Sequence, residues 1–180
     1  MGVEHFSALG AEVEAVMVRS RVDAYDEGCV QAVGEADLVY FSGGKPGYLL
    51  EVLSGSPLWA AALAANERGA VLAGCSAGAM VLAGRLVGFR RTILPWPIRW
   101  RPALGVVGGA IVLPHYDAFP ETMTAAFALQ APRGSVVLGI DEDTAAVGRN
   151  GSWQVHGQAR VTIWRGRHRE RHRRGEIFRI

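Results

Sequence analysis

Val71-Leu-Ala-Gly-Cys-Ser-Ala-Gly-Ala79 runs from an apolar, strand-like segment through Gly74-x-Ser76-x-Gly78 into the helix-forming Ala79-Met-Val-Leu-Ala83. A serine at such a strand-to-helix turn is held clear of the sheet with its hydroxyl exposed. The glycines follow from the geometry: a residue in a strained turn needs neighbours without bulky side chains. The helix that follows aims backbone N–H groups at the hydroxyl, where they stabilise developing negative charge. An ordinary strand–turn–helix has the same outline in a chain this rich in Gly and Ala, so the company of the motif has to decide.

A second glycine turn lies upstream. Ala36-Asp-Leu-Val-Tyr-Phe-Ser-Gly-Gly44 is an apolar run ending in paired glycines, and Pro46 suits the first turn of a following helix. Parallel strands of an open α/β sheet end on one edge, so the two turns face each other there. The amides of Gly44 and Ala77 then form a two-donor oxyanion hole; the alternative is that Gly43-Gly44 is a simple loop. Downstream, Gly109-Ala-Ile-Val-Leu-Pro-His-Tyr-Asp117 is an apolar strand that ends at His115. Histidine exchanges protons near neutral pH, which fits a general base at a strand's exit. Ser135-Val-Val-Leu-Gly-Ile140 then leads into Asp141-Glu-Asp143, where a carboxylate can orient the imidazole. The order Ser, His, acid differs from the Ser, acid, His order of α/β-hydrolases.

Together, Phe41–Gly44, Ala73–Ala79, Leu113–Asp117 and Gly139–Ala145 resemble the serine peptidase family of aspartyl dipeptidase (peptidase E) and cyanophycinase. The resemblance runs from about Leu9 to Trp164. It implies an α/β fold of the class I glutamine amidotransferase-like (flavodoxin-like) kind, a three-layer sandwich with a mainly parallel sheet. It also implies Ser76 as nucleophile, His115 as general base and Glu142 as the acid. Strand alternation would turn Glu142 to one face, and Asp141 and Asp143 to the other. The chain starts inside or just before the first helix, ahead of which relatives carry an extra strand and a glycine-rich turn. Lys45 stands where Asp or Asn commonly follows the paired glycines.

Relatives hold an acidic substrate with arginines on the segment after the histidine, and Ala118–Phe127 has none. The expectation is weak preference for aspartate, with Met123 and Phe127 on the inner face of that helix. Candidate substrate contacts are Lys45, Arg91, Arg99, Asp117 and Met123. The loop Phe89–Pro102 places Arg90, Arg91, Arg99 and Arg101 among Trp96 and Trp100. Such a loop binds a carboxylate or an extended peptide, or else packs its tryptophans on the core.

The 180 residues are 49% apolar, which bounds the chain to one globular domain, residues 1–164. β and α patterns alternate. Glu12–Val18 reads as a strand, Pro57–Asn66 and Pro120–Gln130 as helices. Asn150-Gly151 lies between two alternating strands and marks a C-terminal β-hairpin. Residues 165–180 hold seven arginines and two glutamates, so the other residues carry 12 basic against 15 acidic side chains. The formal net charge of +2 therefore comes from this basic tail, read as a solvated or partly disordered extension. Nucleic acid is not expected as a partner, because the basic run has no interleaved aromatics.

Cys29 and Cys75 form no paired motif; Cys75 reads as a small buried residue, with a displaced cysteine nucleophile as the alternative. No metal or other cofactor is expected. No apolar run reaches the roughly 20 residues that span a bilayer, and no leader pattern opens the chain, so the expected compartment is the cytoplasm. The reading is a serine-type hydrolase cleaving a small peptide or other amide through Ser76, His115 and Glu142, with a homodimer left open. The alternatives are an amidotransferase-like amidase and an inactive family member acting as an interaction module.

Overall fold

Ser56 and Asp26 show how local sequence starts the helices of this chain. The Ser56 hydroxyl accepts from the Trp59 amide at 3.1 Å and donates to the Leu53 carbonyl at 2.8 Å. Asp26 accepts from the Cys29 amide at 2.9 Å. Each side chain satisfies an N–H group that a helix leaves unpaired at its start. The computed structural model describes residues 2–88 and 98–180, and the chain divides into two units, Met1–Gly78 and Ala79–Ile180. Arg91, with Arg90 and Trp96, lies outside the described residues.

The first unit contains helix α1 (Gly2–Ala8), a 3-10 turn at Asp23–Tyr25, α2 (Glu27–Glu35), strand β1 (Leu38–Phe41), α3 (Pro46–Leu53), α4 (Pro57–Glu67) and β2 (Val71–Gly74). Helix α5 (Ala77–Leu82) begins at its end. Prolines 46 and 57 open α3 and α4, where a missing N–H costs nothing. β1 and β2 pair in parallel from Leu38↔Val71 to Phe41↔Gly74, so Gly43-Gly44 and Cys75-Ser76 leave the same edge. Glu12–Val18 is not a strand, contrary to the sequence expectation. Its side chains are exposed or half-buried, and no described strand pairs with it. Alternation alone does not make a strand; a neighbour has to take the backbone hydrogen bonds.

The second unit holds β3 (Ala83–Val87), β4 (Trp100–Pro102), β5 (Val107–Pro114), α6 (Glu121–Gln130), β6 (Val136–Ile140), β7 (Thr144–Arg149), β8 (Ser152–Gly157), β9 (Arg160–Arg165), β10 (His168–Arg173) and β11 (Ile177–Arg179). Its main sheet has the order β10-β9-β6-β5-β3-β4. The pairs β3–β5 and β5–β6 are parallel; β3–β4, β6–β9 and β9–β10 are antiparallel. The sheet is therefore mixed, which corrects the mainly parallel sheet expected. Short turns join only antiparallel neighbours, and the turn through Gly166 (φ 61°) returns β10 beside β9.

Side chains alternate across this sheet into two cores. One contains Ala110, Val112, Val136, Leu138, Val161 and Ile163, and it is closed by Val155 of β8 and Phe178 of β11. The other contains Ile111, Leu113, Val137 and Trp164, with Ala128 of α6 packed on it. So the sheet β11-β8-β7 packs on the first face, with Ala79 of α5 against the same core. Asn150 (φ 54°) and Gly151 (φ 80°) form the β7–β8 turn, as expected from the Asn-Gly pair.

Residues 165–180, expected as a solvated tail, form β10 and β11 instead. Pairing supplies the backbone partners, β9 for β10 and β8 for β11, and alternation sorts the side chains. On β10, Arg169 and Arg171 point to one side, where both pair with Glu121 and Arg169 lies 5.4 Å over Trp164. His168, Glu170 and His172 take the other side; Glu170 is within 3.2 Å of His168 and 3.5 Å of His172. No described helix is long and apolar enough by itself to cross a membrane.

Candidate active site

Ser76 sits between the end of β2 and the start of α5 with φ at +52°, in the left-handed region. That conformation costs a residue with a Cβ about 1–2 kcal/mol, and it persists where surrounding contacts over-determine it. Two backbone bonds do so here. The Cys75 amide donates to the Phe41 carbonyl at 3.0 Å, and the Gly78 amide donates to the Cys75 carbonyl at 2.8 Å. A Cβ at Gly78 would fall 2.0 Å from the Phe41 carbonyl oxygen, so only glycine lets α5 start against β1.

Gly43 lies against the serine: a Cβ there would be 3.5 Å from Ser76 Cβ. Gly44 has φ +145°, and Ala77 is buried. Lys45 is exposed at the start of α3. Cys75 is exposed, which corrects the expectation of a buried residue. It follows the strand end and lies beside Tyr40, whose phenol is raised above 10.0 by partial burial and by its bond with Cys75.

In the second unit, β5 and β6 end together at the pair Pro114↔Ile140. His115 follows β5 directly, and Glu142 follows β6 by two residues. Parallel neighbours in register bring their outgoing loops side by side, and His115 Nδ1 stands 3.0 Å from Glu142 Oε1. Both side chains are exposed, 46% and 61%. His115 has φ +53° and opens a 3-10 turn, Tyr116–Ala118. Tyr116 anchors that turn: its hydroxyl accepts from Trp164 Nε1 at 2.7 Å and donates to Thr124 Oγ1 at 3.0 Å. Gly139 makes room, since a Cβ there would lie 2.1 Å from the Tyr116 ring.

The three acids separate as the sequence implies only in part. Asp141 is buried and pairs through Oδ2 with Arg160 Nε at 3.2 Å, while its Oδ1 has no hydrogen-bond partner. Burial raises its carboxyl above 3.8, with Arg160 opposing. Asp143 is exposed in the turn with φ +52°, rather than facing inward with Asp141. Glu142 is the acid beside the imidazole.

Asp117 accepts the Glu142 amide at 2.9 Å. Arg99 is exposed, and its carbonyl accepts from Gly88 at 2.7 Å. Met123 is exposed as well, which corrects its inner-face placement; α6 buries Thr124 and Ala128, with Phe127 half-buried on the core. Among the described residues, no group of three or more His, Cys, Asp or Glu side chains is arranged to hold a metal ion. Tyr116 and Gly139 were not singled out from the sequence. Their signal was an aromatic between His115 and Asp117 and a glycine just before the acid turn.

The profile of peptidase family S51 matches residues 2–156. The chain belongs to peptidase family S51. Cyanophycinases of a Nostoc species and of Trichormus variabilis are each 30% identical over 165 residues. These matches cover 88% of this chain and 55% of each relative, so the chain spans about half the length of the curated relatives it matches. Among solved structures, a peptidase from an acI-B1 Actinobacterium is similar at 35% identity and a TM-score of 0.86, over 99% of this chain and 74% of that one. A putative peptidase E protein from Listeria monocytogenes EGD-e shares the fold at 19% identity and a TM-score of 0.58, over 96% of this chain and 75% of that one. The S51 match takes in Ser76, His115 and Glu142 alike.

Proposed function

We propose that this S51 chain is a serine-type peptidase that cleaves an amide bond in a small peptide through Ser76, His115 and Glu142. The observation that carries the reading is the 3.0 Å contact between His115 Nδ1 and Glu142 Oε1. A carboxylate on Nδ1 holds the proton there, so Nε2 carries the lone pair that takes the serine proton. Ser76 then attacks the carbonyl carbon. The amides of Ala77 and Gly44 stabilise the tetrahedral oxyanion, and Gly43, beside Ser76, keeps that turn open. Protonated His115 passes its proton to the leaving amine, and water attacks the acyl-enzyme to release the acid. The left-handed backbone of Ser76 supports the nucleophile role, because strain of this kind is kept where a side chain must be presented.

The specificity reading is weak or no preference for aspartate. α6 supplies no arginine, and Arg169 and Arg171 are already paired with Glu121. Lys45, Arg91 and Arg99 remain candidate contacts for a substrate carboxylate. Two measurements test the proposal. Glu142→Gln lowers kcat/KM for dipeptide hydrolysis by on the order of 10² to 10⁴, while Asp143→Asn leaves it within about twofold. Equal losses in the two variants would refute Glu142 as the acid. Across Asp-X, Ala-X and Leu-X dipeptides, strong selectivity for Asp-X would refute the specificity reading.

A further inference from the structure

Two loops must agree for His115 and Glu142 to meet, and a side chain outside the Ser76, His115 and Glu142 set connects them. Asp117 sits on the 3-10 turn that His115 opens, and its Oδ1 accepts the backbone N–H of Glu142 at 2.9 Å. Thr144, the first residue of β7, works in the same sense, since its Oγ1 donates to the Glu142 carbonyl at 3.1 Å. Both backbone polar groups of Glu142 are thus held by side chains, although its own carboxylate is exposed. At the other end of the tie, the His115 turn is fixed by Tyr116 through its bonds to Trp164 and Thr124.

We propose that Asp117 is a positioning residue: its carboxylate oxygen clamps the Glu142 amide to the His115 turn and so fixes where the Glu142 carboxylate meets the imidazole. This rests on the proposed roles of His115 and Glu142. The Glu142 side chain keeps its own rotatable bonds, and anchoring its backbone fixes the point from which they reach the imidazole. The clamp needs an acceptor and not a charge. Asparagine therefore preserves it and alanine does not, which separates this role from a charge offered to substrate.

The test compares Asp117→Asn and Asp117→Ala in the full chain. One readout is the rate of fluorophosphonate labelling at Ser76. The other is the His115 tautomer, read from nitrogen-15 shifts of the imidazole ring. Asp117→Ala slows labelling about ten- to a hundredfold and lowers the Nδ1–H population, whereas Asp117→Asn stays within about twofold on both. Equal loss in the two variants would overturn the proposal in favour of a charge role, and unchanged behaviour of Asp117→Ala would show the clamp to be idle. If wild-type Ser76 is not labelled but the tautomer follows the Ala and Asn pattern, the positioning role stands and the nucleophile assignment falls. If Asp117→Ala does not fold, Asp117→Asn decides alone: loss of its tautomer signal refutes the clamp.

Discussion

Asp141 and Glu142 are adjacent and chemically alike, yet the fold gives them opposite surroundings. Asp141 is buried against Arg160, and Glu142 is exposed beside His115. Burial raises the Asp141 carboxyl above its ordinary 3.8, so the folded state holds that proton more tightly than the unfolded chain does. The sign follows: this residue's contribution to stability is fully present below 3.8 and is lost as pH rises through the raised folded value. Urea denaturation of wild type and Asp141→Asn across that window checks it. The expected result is that wild type loses stability relative to the variant as pH rises; a gap that widens in favour of wild type would contradict it. The strand-end turns that carry Ser76 and His115 were legible in the sequence from their glycines and apolar runs, and Glu142, singled out through the family resemblance, is the acid that stands beside the imidazole. The Asp117 bond was not legible, because a side chain accepting a distant backbone N–H leaves no spacing pattern. Cys75 misled for a related reason, since a small residue reads the same in sequence whether its slot is buried or open.

At the scale of elements, β5 and β6 bring His115 and Glu142 together by ending in register, and Tyr116 locks the turn that follows β5. Gly139 is the joint between the two, since any side chain there collides with the Tyr116 ring. Gly139→Ala is therefore expected to destabilise the second unit by about 1–3 kcal/mol, as overpacking does, and to slow turnover as the His115 turn shifts. Denaturation midpoint and kcat together check this; a variant with wild-type values in both would contradict it. Helices and the β7–β8 hairpin were readable because caps, prolines and Asn-Gly act locally. The strand partners were not. Glu12–Val18 alternates without acquiring a partner, while the arginine-rich β10 acquires one in β9. Which alternating segment becomes a strand is decided by a neighbour distant in sequence.

At the scale of the whole molecule, the basic segment belongs to the folded structure. Phe178 of β11 is 4% exposed and closes the core that β5, β6 and β9 build. Phe178→Ala is expected to cost about 3–5 kcal/mol in urea denaturation, where a solvated tail would tolerate the change within about 0.5 kcal/mol. Charge hid this in the sequence, because seven arginines in 165–180 masked a period-two pattern ending in a buried aromatic. The α/β class was legible from strand–helix order. The mixed sheet was not, since the antiparallel directions of β4, β9 and β10 depend on the strands they pair with, β3, β6 and β9, which the local pattern does not name. One measurement bears most directly on the proposed chemistry. A fluorophosphonate probe reacted with the full chain, followed by mass-spectrometric mapping of the adduct, asks for an activated serine without assuming a substrate. Labelling at Ser76 that disappears in Ser76→Ala and falls sharply in His115→Ala is the expected result; no adduct, or one at Cys75 that survives Ser76→Ala, would contradict it.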